Sequence, residues 1–216
     1  MRTTLDPEAG DLLVLVDIQN DFCGGGALAV PDGDAVVPLA NDLIRRFKAA
    51  GAGIVLTQDW HPAGHSSFAS VHPGRAPYDM VGMPYGPQTL WPDHCVQGTA
   101  GAEFHPDLLT LAADMVVRKG FRPAIDSYSA FFENDGITPT GLTGYCRERG
   151  FRRLFFAGLA LDYCVSYSAE DSARCGFQPI VFEDACRPID MNGSLDLALA
   201  RMNAIGVQFT RATCGK

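Results

Sequence analysis

Apolar runs of strand length, separated by stretches with helical periodicity, constrain this chain more than any other feature. The runs are "DLLVLVD" (11–17), "GIVLTQD" (53–59), "DMVVRK" (114–119), "RLFFAGLA" (153–160), "PIVFED" (179–184) and the short "VQF" (207–209). A strand that is apolar on both faces must be covered on both, which is the condition of a parallel sheet between helices. Between the runs, Val36, Ala40, Leu43, Ile44 and Phe47 keep a three-to-four spacing closed by Gly51. Leu195, Ala198, Leu199, Met202 and Ile205 do the same before Gly206. Both patterns read as helices with one buried face and a glycine stop. The alternation predicts an α/β fold, an open three-layer sandwich with a six-stranded parallel sheet of Rossmann-like design. With 216 residues, 47% of them hydrophobic, and no linker composition, residues 1–216 are expected to form one domain. Residues 60–104, rich in Gly and Pro, read as one long loop region.

Charge and cysteine usage exclude several classes. The 17 Lys and Arg against 25 Asp and Glu give a net charge of -8, which is wrong for a nucleic-acid partner. No apolar stretch approaches the roughly 20 residues of a membrane span, and residues 1–11 lack a basic start followed by an apolar core. The expectation is a cytoplasmic protein without a membrane partner. The seven cysteines include no C-x-x-C pair, so they are expected to be reduced rather than a disulfide or zinc framework.

In open α/β sheets, ligands bind at the carboxyl ends of the strands. There the runs close with Asp17, with Asp59, with Lys119, and with a passage through Asp162 to Cys164. Any one of these could be a solvated strand end. Together, an acid, an ammonium and a thiol can make a nucleophile with its base and charge partner. Asp162 reads as the N-cap of a helix running to Cys175, which would put Cys164 in the first turn, where the helix terminus favours thiolate. Cys146, Cys175, Cys186 and Cys214 read as ordinary packed cysteines. Asp59 and His61, with His94 further on, are ligand types that suit zinc, iron or manganese. Cys95 adjoins His94, but neighbours in extended chain point apart, so it is left out of the ligand set.

Five stretches, "VDIQNDFCGGGALAV" (16–30), "TQDWHPAGHSSFAS" (57–70), "YGPQTLWPDHCVQGT" (85–99), "KGFRPAIDSYSAFF" (119–132) and the segment around "GLALDYCVSYSAED" (158–171), resemble the nicotinamidase/pyrazinamidase family of isochorismatase-like cysteine hydrolases. The resemblance covers nearly the whole chain, and it implies an isochorismatase-like fold. It further implies that Cys164 is the nucleophile, Asp17 the proton acceptor and Lys119 the third member of the triad. The N–H groups of Ala160 and Cys164 would form an oxyanion hole, beside a cis peptide between Leu159 and Ala160. Asp59, His61 and His94 match metal ligands, Ser67 matches a position that reaches the ion directly or through water, and His65 is left out. One divalent transition metal ion is implied, zinc first, with iron or manganese as alternatives. Phe22, Trp91 and Tyr128 match an aromatic substrate pocket.

The implied reaction is hydrolysis of nicotinamide to nicotinate and ammonia, with pyrazinamide as a second substrate, in pyridine-nucleotide salvage. The alternatives are an amidohydrolase of carbamoyl or ureido substrates, an isochorismatase, and a binding protein without activity on the same fold. The Asp-x-His pair disfavours the first, a vinyl ether has no need of the thiol, and the intact Asp17, Lys119 and Cys164 speak against the last. A homo-oligomer is compatible with the chain, whose sequence does not fix a number of subunits. Leu161 stands where many relatives carry a hydroxyl residue, and Gly64 where they often carry Asn.

Overall fold

The computed structural model describes residues 5–213, so Cys214 lies outside the described residues. Six parallel strands, β1 (Asp11–Val16), β2 (Gly53–Asp59), β5 (Met115–Lys119), β6 (Arg153–Leu159), β7 (Gln178–Arg187) and β8 (Gln208–Thr210), form one sheet in the order β5-β2-β1-β6-β7-β8. Helix α1 (Val36–Ala49) covers one face, packing Ala40, Leu43, Ile44 and Phe47 with Leu13, Leu15, Ile54, Phe155 and Phe182. Helices α2 (Leu142–Arg149), α3 (Ser166–Arg174) and α4 (Ser194–Ala204) cover the other, with Cys146, Ala169, Ala198 and Met202 against Leu12, Val14, Val55, Phe156 and Val181. Alternate residues of each central strand thus go to opposite cores, which is why the strands read as unbroken apolar runs. No described helix is long and apolar enough to cross a membrane.

The structure departs from the sequence reading in three places. Within residues 60–104, β3 (Met80–Met83) and β4 (Gly86–Thr89) pair as a small antiparallel hairpin, which glycine and proline had disguised as loop. Helix α2 was not foreseen, because only Leu142 and Cys146 of its residues are buried and its apolar stripe is too thin to read. Asp162 is not a helix cap. The chain leaves β6 through a wide π-helical turn, Leu161–Val165, whose N-cap position is Ala160, so Asp162 falls inside the turn and faces away from its own helix.

The carboxylate of Asp162 instead accepts the N–H groups of Ile189 and Asp190, each at 2.9 Å, and the Ser194 hydroxyl at 2.5 Å. It is buried, and it ties the nucleophile turn to the start of α4. Asp162→Ala is therefore expected to lower stability by about 2–4 kcal/mol, since buried donors lose a charged acceptor. Urea unfolding measures this loss, and a midpoint within error of wild type would contradict it.

Strand order reverses between β1 and β6, so the crevice beyond their carboxyl ends is the place where two loops part. Close approach there depends on Gly158 (φ 125°), opposite Val16, because a Cβ at that position would lie 2.1 Å from the Val16 carbonyl oxygen. The peptide between Leu159 and Ala160 is cis.

Candidate active site

Four strand ends deliver the site. Asp17 follows β1, Asp59 ends β2, Lys119 ends β5, and Cys164 stands in the turn after β6. All four are buried. Lys119 Nζ is the hub, 2.8 Å from Asp17 Oδ2, 2.5 Å from Asp59 Oδ1, 3.0 Å from the Ser127 carbonyl oxygen and 3.4 Å from Cys164 Sγ. Carboxylate oxygens of Asp17 and Asp59 and the Cys164 sulfur lie within 4.8 Å of one another.

Asp17 is held by a residue that sequence reasoning missed. Thr57 Oγ1 accepts the Asp17 N–H at 3.1 Å and donates to Asp17 Oδ1 at 2.5 Å. This double contact steadies a backbone in the left-handed region (φ 48°), which aspartate tolerates better than most residues. Oδ2 is held 2.8 Å from the Lys119 ammonium. The carboxylate lies within 4.8 Å of the Cys164 sulfur and is placed to take its proton.

Burial and charge pull these four groups in opposite directions. Burial opposes the charge on Lys119, but Asp17, Asp59 and Cys164 outweigh it and hold the ammonium well above its ordinary range. Burial also opposes the charge on Asp59, yet Lys119 and His61 hold its carboxyl well below the usual range. For Asp17, burial prevails over the attraction of Lys119, and the carboxyl is raised, which makes it a stronger base. Burial likewise pushes the Cys164 thiol well above its ordinary value, Lys119 opposing and Asp17 and Asp59 adding to the rise. The expectation of a thiolate made by the helix terminus is thereby corrected. Desolvation and two nearby carboxylates favour the neutral thiol, against the pull expected of the helix terminus.

Asp59, His61 and His94 form the second cluster, all buried, with ligand atoms within 4.8 Å of one another. His61 Nδ1 sits 2.8 Å from the Gly120 carbonyl oxygen, and His94 Nδ1 2.8 Å from that of Pro92. Each Nδ1 therefore carries a proton, and each Nε2 faces Asp59 Oδ2, at 3.7 Å from His61 and 3.8 Å from His94. Two oriented imidazoles and a carboxylate with mutual gaps this wide fit a divalent transition metal better than direct hydrogen bonding. Gly120 (φ 65°) makes room, since a Cβ there would lie 2.4 Å from the His61 ring.

His65 is spent elsewhere. Its Nε2 faces the carbonyl oxygens of Arg122 and Ile125 at 2.9 and 3.1 Å, so Nε2 donates and Nδ1 accepts, 2.8 Å from the Ser67 hydroxyl. Ser67 thus gives its proton to His65 and keeps oxygen lone pairs. Cys95 packs in the apolar core and belongs to none of the ligand clusters among the described residues. Cys146 and Cys186 are buried and Cys175 half-buried, as their reading as packed residues requires.

Beside the two clusters opens a narrow cavity lined by Phe22, Leu28, Asp59, Trp91, His94, Asp126, Tyr128, Ala160, Tyr163, Cys164 and Ile189. The aromatic side chains of Phe22, Trp91, Tyr128 and Tyr163 in its lining suit a small planar ring. The Phe22 ring is 5.5 Å from His94, and Trp91 stands edge-on to Tyr163 at 4.9 Å. Phe22, Trp91 and Tyr128 are brought together as the sequence suggested. Tyr163 and Asp126 were missed, although Tyr163 directly precedes the thiol and an aromatic beside a strand-end nucleophile is a signal in itself.

Residues 11–214 match the Isochorismatase domain family. The chain belongs to the isochorismatase-like hydrolases. It is 51% identical over 196 residues to the nicotinamidase of Acinetobacter baylyi, covering 91% of this chain and 90% of that one. The solved nicotinamidase/pyrazinamidase of Acinetobacter baumanii superposes with a TM-score of 0.91 at 49% identity, covering 94% of this chain and 97% of that one. The pyrazinamidase of Pyrococcus horikoshii, solved in complex with zinc, superposes with a TM-score of 0.76 at 36% identity, covering 94% and 99%. Within those hydrolases this chain is a member of the nicotinamidase/pyrazinamidase family.

Proposed function

We propose that the chain hydrolyses nicotinamide to nicotinate and ammonia, and pyrazinamide likewise, through a thioester on Cys164. The observation that carries this reading is that Cys164 lines a small aromatic cavity together with Asp59 and His94, with the Asp17–Lys119 ion pair packed against its sulfur. Asp17 Oδ2 takes the thiol proton as sulfur attacks the amide carbon, and the Lys119 ammonium balances the charge that moves between them. The oxyanion faces the N–H groups of Ala160 and Cys164. As the C–N bond breaks, the leaving nitrogen takes the proton held by Asp17 and departs as ammonia. Water then gives its proton to Asp17 and its oxygen to the acyl carbon, the C–S bond breaks, and the sulfur recovers its proton as nicotinate leaves.

Asp59, His61 and His94, with Ser67 near them, would hold a divalent transition metal, zinc by preference, which supplies a Lewis-acidic anchor for the pyridine nitrogen. Phe22, Trp91 and Tyr128 hold the ring faces. The reaction fits recovery of the pyridine ring for nucleotide synthesis in the cytoplasm.

Ammonia release from nicotinamide by the purified protein tests the reading, and no release in the metal-loaded protein would overturn it. Anchoring and attack should also come apart. His61→Ala, or removal of the metal by a chelator, should weaken nicotinamide binding on the order of tenfold or more. Benzamide, which has no ring nitrogen, should bind nearly as before, and alkylation of Cys164 by a small neutral reagent should keep its rate. Equal losses for both amides, or a much slower thiol, would remove the anchoring role.

A further inference from the structure

Gln88, on β4, is fully buried and stands behind the cavity wall rather than in it. Its Nε2 lies 2.8 Å from the Thr89 carbonyl oxygen, 2.9 Å from Asp126 Oδ2 and 2.9 Å from the Tyr128 hydroxyl, three acceptors that share its two protons. Its Oε1 accepts from Asn134 Nδ2 at 3.0 Å and from the Tyr85 hydroxyl at 3.2 Å. Backbone groups at both ends of this chain of contacts fix the amide orientation. A carbonyl oxygen only accepts, so the atom facing Thr89 is the nitrogen. At the other end the Tyr128 N–H donates to Asn134 Oδ1 at 3.0 Å, so the Asn134 atom facing Gln88 is a donor and requires an oxygen there.

The consequence falls on Tyr128. Its hydroxyl oxygen is flanked by Gln88 Nε2 at 2.9 Å and by Trp91 Nε1 at 3.1 Å. Neither nitrogen can accept, so the Tyr128 proton points at neither. Among the described residues the hydroxyl donates to no protein group, and Tyr128 lines the cavity. We infer that Gln88 is a positioning residue that, with Trp91, turns the Tyr128 hydroxyl into an obligatory hydrogen-bond donor to an acceptor atom of the bound amide. The inference rests on the amide-hydrolase reading above and adds to it a polar demand in a pocket otherwise read as aromatic. A site built to donate selects strongly against a ligand with nothing to accept.

The test compares Gln88→Leu, Gln88→Glu, Tyr128→Phe and the double variant Gln88→Leu with Tyr128→Phe in the metal-loaded enzyme. Ammonia release by wild type is the first readout, and its absence would sink the amide-hydrolase reading and leave the role of Gln88 to binding measurements. Tyr128→Phe and Gln88→Leu should each raise KM for nicotinamide by roughly tenfold or more with a much smaller change in kcat, and the double variant should be no worse than the poorer single one. Gln88→Glu keeps the shape but offers Tyr128 an acceptor, so it should bind nicotinamide at least as poorly as Gln88→Leu. The alkylation rate of Cys164 should stay at the wild-type value throughout. Unchanged KM in Tyr128→Phe, additive losses in the double variant, or near-normal binding in Gln88→Glu would each overturn the inference. Should Gln88→Leu not fold by circular dichroism, Tyr128→Phe and Gln88→Glu decide it.

Discussion

Cys164→Ala is expected to fold as wild type does and to lose turnover of nicotinamide by about 10⁴-fold or more. The fold should survive because alanine leaves only a small gap in a wall that already borders a cavity, and the Asp17–Lys119–Asp59 ion pairs stay in place without the sulfur. The rate should not survive, because no other cysteine can take over. Among the described residues, Cys164 is the one cysteine that both lines the cavity and touches Lys119. Far-ultraviolet circular dichroism and steady-state ammonia release check the two halves of the expectation. Activity within tenfold of wild type would remove Cys164 from the chemistry.

The second large effect concerns Asp17 and Lys119 as one unit. Asp17→Asn removes the base and Lys119→Met removes the charge that travels with the proton, so each should cost roughly 10²–10⁴-fold in kcat/KM. Since both act in the same step, the double variant should be no slower than the slower single one. Stability should split differently. Lys119→Met leaves the buried carboxylates of Asp17 and Asp59 facing each other without the ammonium between them and should cost about 3–5 kcal/mol. Asp17→Asn, which keeps the Thr57 contacts and lowers the buried negative charge, should cost much less. Losses in rate that multiply in the double variant would show two independent roles.

Much of this site was legible because it is built from strand ends. Asp17, Asp59, Lys119 and Cys164 each close an apolar run, and a parallel sheet necessarily collects such residues at one edge. His61 and His94 were legible as residue types, but their readiness for a metal comes from the Gly120 and Pro92 carbonyl oxygens that take the Nδ1 protons, and no spacing rule reports that. Thr57 was hidden for a different reason. A threonine inside a buried strand reads as an ordinary strand former, and only the register of β2 against β1 brings its hydroxyl to Asp17. Gln88 was hidden by its hairpin, whose flanking Gly86 and Pro87 read as loop. Asp162 was misread because its place just ahead of a helix matches the rule for an N-cap, and the π-helical turn moves the cap to Ala160.

The claim on which the rest depends is that the Cys164 sulfur attacks the carbonyl carbon of a pyridine amide held in this cavity. A nicotinamide analogue carrying a chloroacetyl group in place of the carboxamide tests it most directly, with peptide mass mapping after loss of activity. The expected result is one adduct per chain, on Cys164 alone, formed in step with inactivation and slowed by nicotinate. Inactivation with the label on another residue, or full labelling of Cys164 in an enzyme that still releases ammonia, would contradict it.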